Sequence, residues 1–156
     1  PPGQRHYLAM IAVAAVDALD LEPDTVLSDA LLDRHDQIES GCLFDATLAV
    51  SGLTSLFADG DPPDALVSFL SENDPGTTGL VAPLLLVNGV DDRLLTPELS
   101  DAFADQVCAV GTVLERIVIT DASHLDTFGD SASQVVDWFV DRLEGRPVDD
   151  WCSGAG

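Results

Sequence analysis

The stretch "PLLLVNGVDDRLLTPELSDAF", Pro83 to Phe103, decides the fold. Leu84 to Val87 is a continuous apolar run bounded by Pro83 and Gly89, which suits a strand covered on both faces of a parallel sheet. Thr96 is an N-cap residue followed by proline at the first helical position, and Gly111 is a stop signal. Between them Leu99, Ala102, Phe103, Val107 and Val110 line one face of the expected helix. A second strand is expected over Leu114 to Thr120. After the loop "DASHLDTFGD" a last helix is expected over Ser131 to Leu143, with Val135, Val136, Phe139, Val140 and Leu143 on one side.

Strand, helix, strand, helix makes a right-handed crossover joining two parallel strands, whose carboxyl ends open on the same edge of the sheet. Ligand-binding and catalytic groups gather at such edges in open α/β sheets. The loop after the first strand carries Asp91 and Asp92, and the loop after the second carries His124. A carboxylate beside a histidine fixes the imidazole's tautomer and stabilises the imidazolium, leaving the other ring nitrogen to act as a general base. The order acid then histidine, each after a strand with one helix between, is also the order in which an α/β-hydrolase completes its triad.

Working outward, the segment before residue 80 shows no strand pattern. It reads as short helices over Tyr7 to Asp20, Ser28 to Ile38, Phe44 to Phe57 and Asp64 to Asn73, with a break at "ADGDPP". Ser28 is the expected N-cap of the second helix and Gly41 its stop. The expected division is a helical segment over 1–62 and an α/β segment over 63–156.

Composition limits the partners. With 28 acidic residues against 6 basic ones the net charge is −22 and the pI near 4.1, so nucleic acid and anionic membrane surfaces are poor partners. Every cation is an arginine, and aspartate far outnumbers glutamate. Codon bias in a GC-rich genome and a surface kept hydrated in high salt both explain this, and the sequence leaves both open. No apolar run reaches the roughly 18 residues that suggest a transmembrane helix. "YLAMIAVAAVDAL", Tyr7 to Leu19, reads as a buried helix and not as a signal-peptide core, because Pro-Pro-Gly-Gln precedes it and acids follow. The proline-rich start without methionine is read as the middle of a longer protein.

The apolar strand followed by "NGVDDRLLTP", Asn88 to Pro97, then "DQVCAVG" and "SHLDTFGDSASQVVDWFVDRLEGRPVDDWC", resembles the tail of secretory lipases, the group of yeast lipase A and its actinobacterial relatives. "SFLSENDPGTTGLVAP" is similar to the family's lead into this strand, and Tyr7 to Phe57 resembles part of the cap inserted after the nucleophile. The resemblance implies the C-terminal portion of an α/β-hydrolase preceded by a helical cap segment. It implies Asp92, in a Gly-x-x-Asp turn, as the triad acid rather than Asp91, and His124 as the triad base. It implies a disulfide between Cys108 and Cys152, and a partner for Cys42 on a missing N-terminal half. The activity implied is that of a secreted triacylglycerol lipase or carboxylesterase acting on ester or lipid substrates without a cofactor.

One departure is large. The family's Gly-x-Ser-x-Gly elbow is absent, and the nearest serine in a suggestive setting, Ser51 in "LAVSGLT", has Ala49 and Leu53 where glycines belong. The nucleophile is therefore expected on a missing segment, and the isolated chain is expected to be inactive. The alternative is a non-catalytic acidic binding or regulatory module derived from a hydrolase tail. Such a module should show a polar exterior on Tyr7 to Leu19 and a reduced Cys42, whereas a severed half should expose apolar surface and depend on a partner. His6 and His35 lack His-x-x-x-His or Glu-x-x-His spacing, so no metal site is expected, nor Mg²⁺ at Asp91 and Asp92. Asp91, Asp121 and Asp126 are read as solvated loop charges, and Trp138 and Trp151 as packing residues.

Overall fold

The computed structural model describes residues 4–154 and is mixed α/β, with two compact units among them. The units part between Asp74 and Pro75, beyond the expected division after Pro62. The helix Asp64–Glu72 belongs with the first unit, where its Leu66 is fully buried in the core.

The first unit is helical: α1 (Arg5–Ala18), α2 (Pro23–Val26), α3 (Asp29–Leu32), α4 (His35–Glu39), α5 (Leu43–Val50) and α6 (Asp64–Glu72). Its core gathers Ala9, Ala12, Val13 and Val16 of α1 with Leu27, Leu31, Ile38 and Ala46. The small residues of α1 let α5 and α4 approach closely, so this helix is buried along one face without large side chains. Ser28 caps α3 by accepting the Leu31 N–H, as its sequence position suggested. The helix expected to run on to Ile38 breaks instead at Asp33 and Arg34. There the Arg34 guanidinium leaves its own helix to donate to the carbonyls of Ala49 and Ser51. The helix expected to reach Phe57 stops at Val50, where Ser51 turns extended and Gly52 takes a positive φ of 76°. Leu27 and Phe57 then form an isolated antiparallel bridge.

The second unit has β1 (Leu84–Gly89), α7 (Pro97–Ala109), β2 (Leu114–Ile119) and α8 (His124–Leu143), with a short 3-10 turn at Trp151–Ser153. β1 and β2 pair in parallel with Leu84 opposite Leu114 and Gly89 opposite Ile119. Side chains alternate between faces. Leu84, Leu86 and Leu114 pack against Ala104, Phe103 and Val107 of α7. The other face carries Glu115, which accepts hydrogen bonds from Trp138 Nε1 and Arg142 of α8. Two parallel strands thus lie between two helices.

Pro97 begins α7 as expected, with Thr96 in the extended N-cap conformation. The last helix, however, starts at His124 and not at Ser131. Asp126 nucleates it by accepting the Ser123 N–H and hydroxyl, so this aspartate is a helix-start residue rather than a free loop charge. The apolar stripe of α8 is only partly covered. Trp138 is buried, while Val136, Phe139 and Leu143 are exposed. Among the described residues no helix is long and apolar enough to cross a membrane.

Candidate active site

β1 ends in a glycine because nothing larger fits. A β-carbon at Gly89 would lie 2.2 Å from the Ala122 carbonyl oxygen and 2.4 Å from Thr127 Oγ1. This close approach brings the two strand-end loops together. Val90 N–H donates to Ile119 C=O at 3.0 Å, and Asp91 N–H to Ala122 C=O at 3.1 Å. Thr127 hydroxyl donates to the Ser123 carbonyl, holding the first turn of α8 beside that junction.

The turn points the adjacent aspartates in different directions. Asp91 is exposed, whereas Asp92 is 5 % exposed and meets the first residue of α8. Asp92 Oδ2 lies 2.8 Å from His124 Nδ1, and Oδ1 accepts the backbone N–H groups of Leu94 at 2.8 Å and Leu95 at 2.9 Å. Both carboxylate oxygens are therefore committed. Burial alone raises the pKa of Asp92, but the hydrogen bonds from His124, Leu95 and Leu94 together outweigh it and hold the carboxyl below its ordinary value. The ionised carboxylate fixes the Nδ1–H tautomer of His124 and leaves Nε2 as the basic nitrogen. Among the described residues Nε2 has no hydrogen-bond partner, and the side chain is 43 % exposed.

Asp92 and His124 sit at the end of an open, mainly apolar cleft of about 610 Å³ that runs beside β1 between α7 and α8. Leu86, Val87, Phe128 and Val135 contribute to its walls, with the buried hydroxyls of Ser100 and Ser131. Reading the sequence did not single out these two serines. Ser131 follows His124 by two helical turns, a spacing that would have shown itself had α8 been started at His124.

Cys108 and Cys152 form a disulfide, with Cα atoms 5.4 Å apart, tying the tail to the end of α7. Around it Asp150 accepts the Leu114 N–H, and the Trp151 ring lies under the Arg116 guanidinium at 4.9 Å. Cys42 is an exposed free thiol, and it and its backbone N–H both donate to Asp45, lowering the pKa of that carboxyl.

The other candidates lie apart from this geometry. Ser51 is exposed in the first unit, follows a helix rather than a strand, and offers its carbonyl to Arg34. The His6 ring lies tilted against Tyr7, and the half-buried His35 lies 3.6 Å from Asp36 and 3.8 Å from Glu39 on α4, an ion-pair set when protonated. No family model matches the chain, and neither a curated protein nor a solved structure is found to be similar to it.

Proposed function

We propose that the second unit supplies the acid and base of a serine-type acyl-transfer site, as part of a secreted carboxylic ester hydrolase with an α/β-hydrolase core. The carrying observation is the hydrogen bond from His124 Nδ1 to the buried, doubly anchored Asp92, with Nε2 left open. A serine on a segment outside the described residues would attack an ester carbonyl while Nε2 of His124 takes its proton. The imidazolium, stabilised by Asp92, would then return that proton to the departing alcohol, leaving an acyl-serine. Water would cleave the acyl-serine by the same proton route, releasing the acid and restoring the serine.

The parallel strands flanked by helices, the order Asp92 then His124 and the Cys108–Cys152 disulfide all support this reading, and a disulfide fits an oxidising compartment outside the cytosol. The exposed apolar stripe of α8 favours it over a self-contained binding module, for which the free thiol of Cys42 is the contrary sign. Ester or lipid substrates follow from the resemblance to secretory lipases.

Fluorophosphonate labelling of the protein as isolated, followed by non-reducing mass measurement, tests it. Label on a second polypeptide joined through Cys42 is expected. Label on this chain, or hydrolysis of a short-chain nitrophenyl ester by the pure chain that His124→Ala abolishes, would overturn the assignment of the nucleophile to another segment.

A further inference from the structure

Away from Asp92 and His124, three metal-ligating side chains of the first unit converge on α4. His35 Nδ1 lies 3.6 Å from Asp36 Oδ1 and 3.8 Å from Glu39 Oε2, and a donor atom from each residue lies within 4.8 Å of the others. Neither histidine contact is short enough to be a hydrogen bond. Both are close to the edge of a ligand tetrahedron around zinc, roughly 3.4 Å for bonds of about 2.1 Å. Residues four apart share a helix face, which aligns His35 with Glu39, and Asp36 reaches in from the neighbouring position. A search of the sequence for His-x-x-x-His and Glu-x-x-His passes over this His-Asp-x-x-Glu order.

The histidine sets the cluster apart from the acids that cover the surface. Its side chain is 25 % exposed, so packing holds the ring, while the exposed carboxylates of Asp36 and Glu39 are free to close on it. The backbone beneath is fixed on both sides. Arg34 donates to the carbonyls of Ala49 and Ser51, the Ser40 hydroxyl donates to the Asp36 carbonyl, and Ile38 is buried in the core. With the ring neutral and Nδ1 bare, one lone pair and two carboxylates face a common point. A cation satisfies that arrangement, and hydrogen bonding within the set does not.

We propose that His35, Asp36 and Glu39 bind a divalent cation of the zinc type through one imidazole nitrogen and two carboxylate oxygens, with water completing the shell. The nitrogen donor selects zinc over calcium and magnesium, which take oxygen ligands in larger sets. Three ligands from five consecutive residues clamp α4, which packs against α1 and α5, so the bound cation stabilises the first unit. The inference is independent of the chemistry proposed for Asp92 and His124.

The test is calorimetric titration of the full chain with zinc near neutral pH, in a Cys42→Ser background that removes the free thiol, alongside nitrogen-15 NMR of the three imidazoles. Expected is one equivalent bound about tenfold or more tightly than calcium, with a shift at His35 Nδ1 and none at His6 or His124. Acidification that protonates the ring should release it. His35→Ala should weaken binding by about tenfold or more. Asp36→Asn and Glu39→Gln, at exposed positions where folding is undisturbed, should each do the same. Absence of saturable zinc binding would leave only an ion pair and overturn the proposal. So would zinc held no more tightly than calcium, binding that survives both carboxylate variants, or a shift confined to His6 or His124.

Discussion

Removing the Cys108–Cys152 cross-link should weaken the second unit substantially. The bond joins residues 44 apart in sequence. The chain-entropy relation for a loop of that length gives about −13 cal/mol/K, or roughly 4 kcal/mol at 25 °C. A unit of this size has a total stability on the order of 4–12 kcal/mol, so the loss is a large share of the whole. The appropriate variant is Cys108→Ser with Cys152→Ser, because a single replacement would leave a second thiol able to pair with Cys42. The contacts of Asp150 with Leu114 and of Trp151 with Arg116 remain available to the variant, which isolates the cross-link from the docking of the tail. Both tryptophans of the chain, Trp138 and Trp151, belong to the second unit, so intrinsic fluorescence during urea unfolding reports that unit. With a urea slope of about 1 kcal/mol/M, the midpoint should fall by several molar, or the cooperative transition should disappear. A midpoint shift below about 0.5 M would refute the reasoning, since the tail would then be held in place without the cross-link.

Other substitutions test the site and its support. Gly89→Ala places a methyl against the Ala122 carbonyl and Thr127, and should cost about 1–3 kcal/mol in urea unfolding while separating His124 from Asp92. Retained stability with the His124 imidazole signals unmoved would show that the junction is looser than described. Asp92 has a folded-state pKa below 3.8, so its contribution to stability is present above that value and is lost as pH falls through the lower folded value. Asp92→Asn should flatten the acid limb of the urea midpoint against pH, and an unchanged limb would contradict the linkage. Glu115→Ala strands the Trp138 Nε1–H and frees Arg142, for a loss of about 1–3 kcal/mol. Asp101→Ala leaves the buried Arg116 guanidinium with a weaker partner in Asn88 Oδ1 at 3.3 Å and should cost about 1–3 kcal/mol on the same urea assay.

Backbone chemistry made the second unit legible. Pro97 and Gly111 bounded α7 because proline and the left-handed glycine act locally, whatever packs nearby, whereas the Thr96 side chain makes no capping bond. Leu84 to Val87 declared a strand because an unbroken apolar run that short leaves few alternatives. The meeting of Asp92 with His124 was legible as topology, since parallel strands joined by one helix open on the same edge. The start of α8 was misread because Asp126, Gly129 and Asp130 have loop composition. The local cue was Ser123 with an acid three residues on, which outweighed that composition. In the first unit apolar periodicity overran the helices. It persists past Val50 and through Arg34, where the backbone is turned by Gly52 and by an arginine that bonds to another segment. The exposure of Val136, Phe139 and Leu143 was not legible at all. Period tells which residues share a face, and not whether anything covers it.

The site depends on His124 donating Nδ1–H to Asp92 and keeping Nε2 as a base. Nitrogen-15 NMR of the neutral imidazole measures this directly, because protonated and bare ring nitrogens resonate far apart. The expected spectrum shows Nδ1 protonated and Nε2 bare in the wild type, with the preference lost in Asp92→Ala. A neutral His124 protonated at Nε2 would leave no base facing the cleft and would contradict the acid–base assignment.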